Sequence, residues 1–106
     1  MTIPDSAATS DRFDQLALPP SCISNLEQLG YTRMTPIQAA ALPRALAGQD
    51  LIAQASTGSG KTVAFGLPLV ERLQSTGLPS TPVQAVVLCP TRELADQVTL
   101  EIRRLA

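Results

Sequence analysis

Histidine and tryptophan are absent from these 106 residues, and cysteine occurs only twice. Without histidine, and with Cys22 and Cys89 far apart and no C-x-x-C spacing, the chain has no ligand set for a zinc site. A disulfide is not expected in a cytosolic chain, so both cysteines read as small buried hydrophobes. Charge of either sign is scarce: eight basic residues against nine acidic ones give a net charge of −1. Such a chain lacks the broad basic field that holds nucleic acid by electrostatics alone. Any nucleic-acid contact is then local and involves few phosphates, or uses sequence outside these residues. Long apolar runs are also missing, so no segment is expected to span a membrane. The opening MTIPDSAATSDR has no basic stretch followed by an apolar one, so it does not read as a secretory signal. A cytoplasmic protein is the expectation.

What is present suits one small domain, with 44% hydrophobic residues for its core. Residues 1–12 are polar and aperiodic and read as a flexible lead-in. A helix is expected after Pro19 or Pro20, with Ile23, Leu26 and Leu29 on its apolar face and Gly30 as its stop. Thr35 as N-cap and Pro36 at the first helical position start a second helix that ends near Gly48, and Pro43 should break or kink it. The run DLIAQ, 50–54, reads as a buried strand. Val63, Leu67, Val70 and Leu73 give the next helix its face, with a bend implied by Pro68. A loop covers 75–82, and VQAVVLC, 83–89, reads as a second strand of a parallel sheet. After Pro90, Leu94, Val98, Ile102 and Leu105 mark a final helix. The order is that of an α/β domain. Two strands leave two open sheet edges, and the last helix carries no stop signal. The chain therefore reads as the opening of a domain, with marginal stability on its own.

The strongest chemical signal is Ala55-Ser56-Thr57-Gly58-Ser59-Gly60-Lys61-Thr62. Glycines let successive N–H groups turn inward as a nest for phosphate oxygens, and the following helix adds the positive end of its dipole. Lys61, the single lysine, would reach the β- and γ-phosphates, and the Thr62 hydroxyl would ligate Mg²⁺. A bare match to this pattern arises by chance in roughly one chain in a hundred of this length, so the strand before it and the helix after it matter. The alternative is a simple Gly/Ser turn. Hydrolysis in this class also needs an acidic residue at another strand end. None of the nine carboxylates lies at the C-terminal end of an expected buried strand.

Phe13, Gly30-Tyr31 and Thr35-Pro36-Ile37-Gln38, with the aromatic 17 positions before the glycine, resemble the Q motif of DEAD-box RNA helicases. ASTGSGKT is similar to that family's Walker A loop, which normally begins with alanine. Pro90-Thr91-Arg92-Glu93-Leu94-Ala95 resembles its motif Ia. Met34 stands where the family often has proline. The wording is most similar to the bacterial DbpA-type subgroup. The resemblance implies a Q-motif region at 13–48 and, at 49–106, the first part of a RecA-like ATP-binding domain that stops before the Asp-Glu-Ala-Asp segment. It implies ATP and Mg²⁺ as cofactors and RNA as partner, acted on by a monomer without membrane contact. Gln38 would read adenine, with Phe13 packing on the ring and Thr35 supporting the pocket. Pro90, Thr91 and Arg92 would contact one RNA backbone, a contact that positions a strand without reading its sequence. In that subgroup a further C-terminal domain is linked to 23S ribosomal RNA and large-subunit assembly.

Other readings remain beside these. Gln38 also suits a helix-capping or solvated glutamine, Phe13 a core anchor, and Thr91 an N-cap beside a solvated Arg92. At the level of the whole chain, the alternative to part of an ATP-dependent RNA helicase is a truncated, catalytically inactive nucleotide-binding fragment.

Overall fold

The computed structural model describes residues 2–3, 11–56, 60–75 and 83–106. Four helices carry the core: α1 (Pro20–Gln28), α2 (Pro36–Leu46), α3 (Lys61–Ser75) and α4 (Arg92–Leu105). Local chemistry sets their ends. Prolines occupy the first turns of α1 and α2, where a missing N–H costs nothing. Both helices stop in the same way. Gly30 and Gly48 take φ of +88° and +87°. After α1, Gly30 N–H bonds to the Glu27 carbonyl and Tyr31 N–H to that of Leu26. After α2, Gly48 N–H reaches Ala45 and Gln49 N–H reaches Arg44. These paired bonds satisfy carbonyls that the helix itself leaves open.

Pro43 does not break α2, which continues to Leu46, and α3 runs on through Pro68 to Ser75. The local cost of an interior proline, about 3 kcal/mol, is outweighed by packing. The buried face of α2 includes Ile37, Ala40 and Leu42, and that of α3 includes Val63, Leu67 and Val70. The main cluster joins these two helices to Phe13, Leu26, Met34 and Leu105. Gly66 lets α4 come close to α3: a Cβ there would lie 3.2 Å from Ile102 Cγ1 and 3.4 Å from Leu105 Cδ1.

The sheet departs from expectation. The run at 50–54 shortens to β2 (Ile52–Ala53), which pairs in parallel with β1 (Thr2–Ile3) in the segment read as a lead-in. Nor is it buried, since Ile52 is 64% exposed. The second expected strand, 83–89, has no strand pairing at all, and Val83, Val86 and Leu88 face solvent. A strand needs neighbouring strands to take its N–H and C=O groups, and among the described residues no strand pairs with this one. The 75–82 loop lies outside the described residues apart from Ser75, the last residue of α3.

Neither cysteine is disulfide-bonded, and both are half-buried rather than fully buried. No helix among the described residues is long and apolar enough to cross a membrane.

Candidate nucleotide site

The site is built where the start of α2 meets the start of α3. Thr35 and Gln38 cap α2 reciprocally: Gln38 N–H donates to Thr35 Oγ1 at 3.4 Å, and Thr35 N–H donates to Gln38 Oε1 at 2.9 Å. The other end of the same amide leaves the helix. Gln38 Nε2 donates to the Gly60 carbonyl at 3.0 Å, tying α2 to the last loop residue before α3. Gln38 is 3% exposed, and every hydrogen-bonding function shown for it is internal. It is thus a capping glutamine, but a buried one.

Gly60 is fitted to this contact. Its φ is +84°, a region that favours glycine, and a Cβ would collide with Gln38 Nε2 and sit 3.0 Å from Cδ and 3.3 Å from Thr35 Oγ1. Its carbonyl also accepts the first helical bond of α3, from Ala64 N–H at 3.3 Å. Lys61 follows at once, exposed, with Thr62 half-buried behind it. The first N–H groups of α3 have no intrahelical acceptor, so the lysine stands beside open donors at the positive end of a 15-residue helix. Ala55 is half-buried and Ser56 exposed, whereas Thr57, Gly58 and Ser59 lie outside the described residues. A glycine at positive φ, open N–H donors, an ammonium and a hydroxyl form a donor set that suits a polyphosphate with Mg²⁺.

Phe13 is held elsewhere. It is 2% exposed and tilted against Tyr31, with ring centroids 5.9 Å apart. Its N–H bonds to the Thr32 carbonyl, so it fixes the chain ahead of Thr35 from within the core. Pro90, Thr91 and Arg92 lie together and exposed at the start of α4. Thr91 Oγ1 accepts the Leu94 N–H at 3.1 Å, which makes it the N-cap. The structure brings Thr35, Gln38, Gly60 and Lys61 together and sets 90–92 on another helix end.

Two residues escaped the sequence reading. Gly66 carried a signal, because a glycine inside a helical pattern suggests close packing. Asn25 carried none. Its Nδ2 donates to the carbonyls of Arg104 at 3.1 Å and Leu105 at 3.5 Å, across 79 and 80 positions of sequence. The last helix, read as lacking a stop, is therefore capped by α1. Cys22 is inert for a different reason: burial first, then hydrogen bonding to Glu71, pushes its thiol up to about 12.

The sequence pattern of the family described as DEAD/DEAH box helicase matches residues 35–106. The chain is 60% identical over 89 residues to the ATP-dependent RNA helicase DbpA of Escherichia coli, a match covering 84% of this chain and 19% of that protein. It is 46% identical over 101 residues to DEAD-box ATP-dependent RNA helicase 26 of Oryza sativa subsp. japonica, covering 94% and 18%. Among solved structures it is similar to a DEAD box protein from Methanococcus jannaschii, with TM-score 0.77 and 36% identity over 90% of this chain and 25% of that one. It is also similar to the RNA-helicase Prp28 from Chaetomium thermophilum bound to ADP, with TM-score 0.78 and 40% identity over 89% and 23%. The chain spans about a fifth of the length of the curated relatives it matches.

Proposed function

The chain belongs to the DEAD/DEAH box helicase family and folds as part of a RecA-like α/β domain, and from that premise we propose that it is the nucleotide-holding part of an ATP-dependent RNA helicase. One observation carries the reading: the Gln38 amide is bonded to Gly60, the residue next to Lys61. A carboxamide has two protons and two lone pairs. Capping takes one lone pair, and the Gly60 bond takes one proton. What remains is one donor beside one acceptor, the pattern that complements the N6/N7 edge of adenine. Because the same amide also holds Gly60, base recognition is linked to the phosphate loop.

Lys61, Thr62 and the first N–H groups of α3 would hold the phosphates and Mg²⁺, with Ala55 to Gly60 as the loop around them. Bound ATP–Mg²⁺ supplies the activated phosphoryl group. The protein contributes binding and orientation: the ammonium offsets negative charge, and the hydroxyl offers a hard oxygen ligand. Thr35 acts through Gln38. Phe13 acts through the core, by setting where α2 begins. Pro90, Thr91 and Arg92 form the RNA-backbone contact. The proposed target is ribosomal RNA, 23S in particular, as the sequence resemblance to the DbpA-type subgroup implies, with a C-terminal domain outside these residues making the choice. A cytoplasmic monomer is part of the same proposal.

Fluorescent ADP and GDP analogues test this directly. Binding is expected to favour adenine, Gln38→Ala should remove most of that preference, and Lys61→Ala should weaken both analogues. Equal affinity for adenine and guanine in the unsubstituted chain would overturn the base-reading role. The 106 residues alone should show no RNA-stimulated ATP hydrolysis, since among the described residues no carboxylate follows the C-terminal end of a strand to position water. Turnover above the Lys61→Ala background would contradict that.

A further inference from the structure

Helix α4 is held firmly at the end away from its proposed RNA contact. Asn25 donates to the carbonyls of Arg104 and Leu105, and the Tyr31 hydroxyl donates to Glu101 Oε1 at 3.4 Å. Ile102 and Leu105 close over Gly66 on α3 in the same region. The first turn of α4 is different: Arg92, Glu93 and Leu94 are all exposed. Between Arg92 and Leu105 the helix rises about 20 Å at 1.5 Å per residue. Over that length a tilt of about 5° moves the far end by nearly 2 Å. Hydrogen-bond distances to a phosphate oxygen span only a few tenths of an ångström, so such a swing would have to be taken up by the side chains.

We infer that Asn25 and Tyr31 are positioning residues for RNA, acting through α4 to aim Thr91 and Arg92 at the phosphate backbone. Both sit just ahead of the Thr35–Gln38 cap, so the segment that orders the adenine side also holds the RNA-contacting helix. The inference rests on the RNA reading proposed above. Neither side chain touches RNA or nucleotide itself. Asn25 neutralises the negative end of α4 with a donor, while Tyr31 spans from its ring contact with Phe13 to Glu101.

The test uses the full 106-residue chain with two probes, a short fluorescein-labelled oligouridylate and a fluorescent ADP analogue. Tyr31→Phe keeps the ring, and Asn25→Ala removes only the cap. Each should weaken oligouridylate binding by roughly three- to tenfold, the range expected from loss of a hydrogen bond. ADP-analogue affinity should stay within about twofold. Asn25→Asp, which puts a carboxylate against helix carbonyls, should weaken RNA binding more than Asn25→Ala, and Asn25→Lys should recover part of it. Unchanged oligouridylate affinity in Tyr31→Phe and Asn25→Asp would overturn the inference alone. Parallel loss of both ligands would also overturn it, by showing general loosening. An unsubstituted chain that binds the ADP analogue but no oligouridylate would remove the RNA reading and this inference with it.

Discussion

The helices and the strand-forming segments treat the same kinds of side chain in opposite ways. Leu42 and Leu67 are 0% exposed on α2 and α3, whereas Leu88 is 90% and Val83 81% exposed in the 83–89 run. A helix satisfies its backbone within itself and needs only one covered face, which α1 to α4 give one another. A strand has no such independence. Its polar backbone and both side-chain rows wait on neighbours, and among the described residues β2 pairs with just the two residues of β1. The nucleotide site lies on the helical side of this divide, at helix ends set by short-range bonds. Order in the site is therefore separable from order in the sheet.

Substitutions sharpen that contrast. Leu67→Ala, at the centre of the helical core, should cost about 2–5 kcal/mol in urea unfolding. A cost below about 1 kcal/mol would show that the helices are not packed as described. Gly66→Val forces Ile102 and Leu105 outward and should cost about 1–3 kcal/mol, less a small gain in helix propensity. Hydrogen exchange should speed up along α4 and leave α2 unchanged. Thr91→Ala removes the cap of α4 and should cost about 1 kcal/mol, with helical circular dichroism declining.

The alkaline limb of stability should be smaller. In the folded chain Cys22 holds its proton up to about 12, above the usual 9.0 of the free thiol. A raised value means that the folded state binds more protons, so its contribution is full below pH 9 and lost as the pH climbs toward 12. Cys22→Ala should flatten the urea midpoint across that window. At pH 8, Cys22 should resist alkylation until urea unfolds the chain. At the bottom of the scale, Leu88→Ser should change stability by no more than about 0.5 kcal/mol. A loss comparable to that of Leu67→Ala would dissolve the distinction between the two regions.

The same divide explains what could be read without the structure. Thr35-Pro36 announced the start of α2, and Gly30 the end of α1, because each of those signals acts over one helical turn. The candidate phosphate loop could be named for the same reason: its glycines, lysine and threonine are contiguous. Pro43 and Pro68 were weaker guides: α2 and α3 run on through both, because the packing that carries them is tertiary. The strand at 83–89 misled in the other direction, because its apolar composition speaks of burial but not of what would supply it. For Gln38, sequence offered base reading or capping as rivals. The geometry shows one amide capping α2 with its oxygen and reaching Gly60 with its nitrogen.

Tyr31 is the only tyrosine in a chain without tryptophan, and it stands between Phe13 and Glu101. Intrinsic fluorescence from this protein is thus a single-site signal, emitted from the seam between α1 and α4. A nearby carboxylate quenches tyrosine emission, so separation of that seam should brighten it. Far-UV circular dichroism, in contrast, sums over all four helices. Wherever the two melting curves diverge, the gap between them measures how far α4 swings free before the rest of the helical core gives way.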